Sequence, residues 1–135
     1  MLGHKLPMSD TTFDFVDHPH FLEYITSGDP SESEWMDLLR MIVQQIEHSG
    51  KMQVLVDATR LTVLPESMVR YRMGIRTGEA FHARVRVALV HPPVEDDNFW
   101  ETVARNRGAM ARSGTDRAEL IAWLMEDLNV PYPGS

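Results

Sequence analysis

Two apolar segments of strand length, residues 53–57 (QVLVD) and 84–90 (RVRVALV), flank a stretch patterned as a helix. A strand that is apolar almost throughout needs cover on both faces, and such strands belong to parallel sheets whose crossovers are helices. The intervening residues 65–81 suit that crossover. Pro65 is tolerated in a first turn, and Gly74 and Gly78 leave gaps one turn apart where a helix can approach a sheet closely. Strand, helix and parallel strand in this order demand a right-handed crossover.

The rest of the chain extends the pattern. Residues 11–17 (TTFDFVD) place Phe13 and Phe15 alternately with acids, as a half-buried strand does. After His18-Pro19-His20, residues 21–26 (FLEYIT) read as a second strand, antiparallel to the first and covering a sheet edge. Ser31 and Glu34 have the spacing of a capping box, opening a helix that runs to about His48. Trp35, Leu38, Leu39, Ile42 and Ile46 form its apolar stripe, and Gly50 is placed to end it. A third helix is expected over 98–107 after the acidic Glu95, Asp96 and Asp97, with Gly108 closing it. Residues 109–112 suit a short edge strand. Thr115 is expected to cap a last helix with Leu120, Ile121, Trp123, Leu124 and Leu128 inward. The expected fold is α/β: a mixed sheet of four to five strands with about four helices and an N-terminal antiparallel strand pair.

At 135 residues the chain is expected to form a single domain over 1–135, and 43% hydrophobic content is too high for a disordered chain. No run approaches a membrane span. The absence of cysteine removes thiolate chemistry and points to a cytoplasmic protein. The net charge of −7 is uneven: residues 1–59 carry ten acids against three bases, and residues 60–117 carry seven acids against ten bases, all arginine. An acidic chain of this kind argues against nucleic acid as a partner, while a local arginine patch suits an anionic group.

Few residues offer chemistry. His18 and His20 could share a face but lack a third ligand, so no metal or cofactor is expected. His82 lies where its ring can meet helix carbonyls. Asp57 and His91 fall at the expected carboxyl ends of parallel strands, the edge where open α/β sheets bind ligands. With Ser67 they compose a Ser/His/Asp set on paper, but GxSxG is missing. Arg105 and Arg107 end a helix, where cations complement the dipole, and Phe99 and Trp100 are expected to pack on the sheet. A two-component receiver would need a lysine after its last strand; the two lysines, Lys5 and Lys51, are elsewhere.

The segments VLVDATRLTVLP, RVRVALVHPP, FWETVARNRG and TDRAELIAWL resemble the SpoIIAA-like (STAS/Sec14-like) domains of bacterial proteins, over roughly residues 21–128. The resemblance implies a binding or regulatory module and not an enzyme. Related anti-sigma-factor antagonists carry a phosphoacceptor serine in an Asp-Ser-Ser-Gly motif; only Ser67 of Pro65-Glu66-Ser67-Met68 matches it. Ser67 therefore reads first as a helix start and second as a phosphoswitch. The expected binding rim is Asp57, Leu64, Ser67, His91 and Phe99, with Arg105 and Arg107 nearby. It would take a partner protein or a small lipid-like or anionic ligand, with homodimerisation through the N-terminal strands as a further expectation. A small hydrolase built on Ser67, His91 and Asp57 is the remaining alternative.

Overall fold

Strand and helix alternate along the chain as the periodicity predicts. The computed structural model describes residues 4–5, 12–81, 84–93, 98–126 and 128; His82, residues 95–97 and the terminal PYPGS lie outside them. In chain order the elements are β1 (His4–Lys5), β2 (Thr12–Asp17), β3 (Leu22–Gly28), α1 (Glu32–Ser49) and β4 (Gln53–Leu61). There follow α2 (Ser67–Phe81), β5 (Arg86–Val90), α3 (Phe99–Asn106), β6 (Met110–Gly114) and α4 (Arg117–Leu124).

One sheet holds the strands in the order β1-β2-β3-β4-β5-β6, antiparallel among β1, β2 and β3 and parallel from β3 to β6. Five strands were legible in the sequence; the two-residue β1 adds a sixth at the antiparallel edge. Because neighbouring parallel strands follow one another in sequence, crossovers of one hand return across one face. Trp35, Leu38 and Ile42 of α1 and Phe81 of α2 accordingly pack on Leu22, Tyr24, Val54, Val56 and Val87. Ala104 of α3 packs on Ala111, beside Val87 in the register. The opposite face belongs to α4, whose Leu120 and Leu124 meet Leu55, Ala88 and Val90.

Local signals account for most boundaries. Ser31 and Glu34 form the full capping box, with Glu34 N–H donating to Ser31 Oγ at 3.2 Å and Ser31 N–H to Glu34 Oε1 at 2.7 Å. Gly50 ends α1 at φ +76°, a conformation that costs residues with a Cβ. Two expectations shift. The cap of α4 is Asp116, whose carboxylate accepts from Glu119 N–H at 3.2 Å, and not Thr115. Asp116 takes the extended backbone a cap needs, and its acceptor satisfies the third-turn-position amide. The helix α2 begins at Ser67, two residues after the expected Pro65.

The glycines of α2 also serve a different neighbour from the one expected. They admit α3 and not the sheet: a Cβ on Gly74 would lie 2.7 Å from Val103 Cβ, and one on Gly78 2.3 Å from Arg107 Cβ. Spacing alone predicted a close approach without saying to what.

Candidate functional site

The α1–α2–α3 face carries a cavity of about 110 Å³ between the helices and the sheet. Its floor is Val56, Ala58, Val87 and Leu89, alternate residues of β4 and β5 that share this face. Trp35, Leu38, Leu39 and Ile42 of α1 form one wall, and Met73, Thr77 and Phe81 of α2 another. Leu61, Leu64 and Pro65, at the end of β4 and in the loop that follows, carry the lining out from the core toward the surface. Val63 and Met68, each 56% exposed, flank that loop.

The lining is almost wholly apolar, and its polar side chains are few: Arg70, Thr77, His91, Asn98 and Ser113. Several are engaged within the protein. Thr77 Oγ1 donates to Met73 O at 2.7 Å and accepts from Trp100 Nε1–H at 3.2 Å. Ser113 N–H and Oγ–H both meet Glu101 Oε1, which ties β6 to α3. His91 Nδ1 lies 2.8 Å from Pro92 O, a carbonyl that can only accept, so this nitrogen carries the proton. Asn98, the cap position of α3, sits at φ +55°, a left-handed conformation for which asparagine is among the better-suited residues.

The expected site residues divide between two faces. Leu64 and His91 line the cavity, together with Arg70 and Trp100. Ser67 opens α2 beside it, and its Oγ accepts from Arg70 Nη2–H at 3.2 Å. Phe99 stacks on Tyr71 of α2, with ring centroids 5.9 Å apart, so it packs on a helix and not on the sheet. Asp57 is elsewhere. Strand β4 runs on to Leu61, so Asp57 is mid-strand, between Ile25 and Val90 in the register, and projects to the α4 side with Val90. There its Oδ1 accepts from Thr59 N–H at 2.9 Å and Thr59 Oγ1–H at 2.6 Å. The sheet therefore separates Asp57 from Ser67 and His91, and the three do not compose a catalytic array. Strand parity carried this separation: Asp57 is one residue from both Val56 and Ala58.

Arg105 and Arg107 are not among the cavity's lining residues. Arg105 pairs with Glu101 at 3.4 Å, one helical turn away, and Arg107 caps α3 against Gly78. His18 Nε2 meets Glu23 Oε1 at 2.8 Å, and among the described residues no three His, Asp or Glu side chains gather as a metal site. Sequence reasoning missed Trp35 and Arg70 as site residues. Trp35 was legible only as one member of an apolar stripe, and Arg70 as one of the ten arginines of residues 60–117.

No family model matches the chain, and no curated protein matches it. Among solved structures it is similar to an uncharacterised protein from the DUF3478 family with a SpoIIAA-like fold, from Shewanella loihica PV-4. That similarity has a TM-score of 0.49 at 16% identity, over 90% of this chain and 99% of that one. The fold stated for that protein is the one the sequence resemblance names, while the architecture described above rests on this chain's own strand order. Among the described residues no helix is long and apolar enough to cross a membrane.

Proposed function

We propose that the protein is a non-enzymatic binding module that takes a small, largely apolar ligand between α1, α2 and the sheet. One observation carries this reading: an apolar cavity of about 110 Å³ remains between elements that otherwise pack closely. A void of that size forfeits contacts that a filled core would make, so it persists at a cost to stability of about 24 cal/mol for each Å³. Apolar concavities with a few placed polar groups are the usual form of small-ligand sites, and this one lies toward the carboxyl ends of the parallel strands. A cytoplasmic setting belongs to the same reading, in keeping with a chain that has no cysteine.

Benzene is the simplest probe, since it enters dry apolar cavities of comparable size. Saturating benzene is expected to raise the midpoint of thermal unfolding and to shift amide resonances of Ala58, Leu89 and Met73. Ala58→Leu, which fills the floor, is expected to abolish both effects. A protein whose stability and spectrum ignore benzene would overturn the reading.

A further inference from the structure

Polar side chains reach the cavity lining, but their hydrogen-bonding atoms are spent inside the protein or sealed off from the space. Thr77 stands on the α2 wall and is only 3% exposed. Its hydroxyl donates its one proton to Met73 O at 2.7 Å and accepts from Trp100 Nε1–H at 3.2 Å. An indole has a single N–H, so this bond uses all that Trp100 can donate. Ser113 is held by Glu101 and Asn98, and Arg70 by Ser67 and a further contact within the protein. Trp35 Nε1, His91 Nε2 and Arg70 Nε are buried, with no surface open to the cavity.

A ligand that enters leaves its water behind, and a donor or acceptor carried in with it meets no partner. Burying a polar group in that way lowers affinity about tenfold or more. A hydrocarbon carries no such loss and gains contact with Val56, Val87 and Leu89. The Thr77–Trp100 bond is the part of this arrangement on which selectivity turns. Its partners come from different helices, α2 and α3, and both line the cavity. Each stops the other: without Trp100 the Thr77 hydroxyl becomes an acceptor in the lining, and without Thr77 the indole N–H becomes a donor there.

From this, and resting on the reading that the cavity binds a small apolar ligand, we infer that the ligand is an uncharged hydrocarbon free of hydrogen-bonding atoms, and that the Thr77–Trp100 bond enforces this choice. Size follows from volume. An apolar cavity of about 150 Å³ holds benzene, so one of about 110 Å³ takes a group no larger than a small ring.

Calorimetric titration of the whole chain with benzene, pyridine and pyrrole tests this. All three are uncharged at neutral pH and neither heterocycle is larger than benzene; pyridine adds an acceptor and pyrrole a donor. In the unaltered chain both heterocycles are expected to bind about tenfold or more weakly than benzene. Thr77→Ala vacates the hydroxyl and leaves Trp100 Nε1–H without its acceptor. There the pyridine deficit, taken against benzene in the same variant, is expected to shrink to about threefold or less while the pyrrole deficit stays. Trp100→Phe leaves the Thr77 hydroxyl without its donor and is expected to relieve pyrrole and not pyridine. Thr77→Ser keeps the hydroxyl and is expected to keep both deficits. Pyridine and pyrrole binding as tightly as benzene in the unaltered chain would overturn the exclusion. Unchanged deficits in both Thr77→Ala and Trp100→Phe would overturn the role of the bond alone, and no binding of benzene would overturn the reading on which both rest.

Discussion

Glu23 and Arg117, ninety-four positions apart, form a two-pronged ion pair beneath the start of α4, with Arg117 Nη2–H donating to Glu23 Oε1 at 2.8 Å. Glu23 points to the α4 side of β3, and its side chain is only 4% exposed. Burial pushes its carboxyl up, but hydrogen bonds from Arg117 and His18 and the charge of Arg117 outweigh that and hold it below the usual carboxylate range. The pair fixes the end of α4 that has no apolar anchor, since Leu120 and Leu124 lie further along.

This pair has a signed dependence on pH. A carboxyl held low in the folded state contributes stability that is complete above its unfolded value of about 4.3, and that stability is lost as pH falls through the folded value. Arg117→Met leaves the Glu23 charge buried and partly unpaired. It is expected to cost about 2–3 kcal/mol at pH 7, below the range for fully buried pairs because Arg117 is 42% exposed. The cost is expected to shrink toward pH 3 as Glu23 protonates, and urea unfolding at both pH values measures it.

Tyr24 offers the opposite sign. Its phenol is pushed up to about 12, chiefly by burial and secondarily by the charge of Asp17. Stability from this group is therefore complete below the unfolded value of about 10 and lost as pH rises through about 12. Its hydroxyl is also buried without a hydrogen-bond partner among the described residues. Tyr24→Phe is expected to be neutral or stabilising at pH 7 and to remove the late step from an absorbance titration of the tyrosines.

The junction of α2 and α3 has no space for a methyl group. Gly78→Ala brings its Cβ within 2.3 Å of Arg107 Cβ and 3.1 Å of Arg107 O, backbone that cannot swing aside. It is expected to destabilise by about 2–3 kcal/mol, the upper part of the range for overpacking. Gly74→Ala meets only the Val103 side chain below 3.0 Å and is expected to cost less. Guanidinium unfolding midpoints give the order.

Asp116→Ala removes the cap of α4 and is expected to cost about 1 kcal/mol. Thr115→Ala, at the exposed position before it, is expected to change stability by less than about 0.5 kcal/mol. Paired thermal unfolding of the two variants distinguishes the cap from its neighbour.

Ser67 illustrates how far local sequence carries. Its place at the head of a helix was legible from Pro65 and the apolar pattern behind it, and the structure puts it there, as the first residue of α2. Its partner was not legible, because a hydroxyl next to a helix start has many acceptors and donors within reach. Only the turn that brings Arg70 back over Ser67 fixes the bond between them. Asp57 shows the converse limit. The end of β4 looked like Asp57 because a polar residue interrupts the apolar run, but pairing with β3 continues through Arg60 and Leu61 and carries the strand on.

The sequence by itself determined the succession of elements, their parallel connection, the capping box of α1 and the glycine that ends it. Those are local properties, set by periodicity and by which backbone conformations each residue tolerates. Tertiary structure alone decided which face each strand residue serves, that α3 and not the sheet fills the gaps at Gly74 and Gly78, and that Trp35 and Arg70 meet one cavity. These depend on how elements distant in sequence stack, and a cavity between them leaves no mark on any single residue.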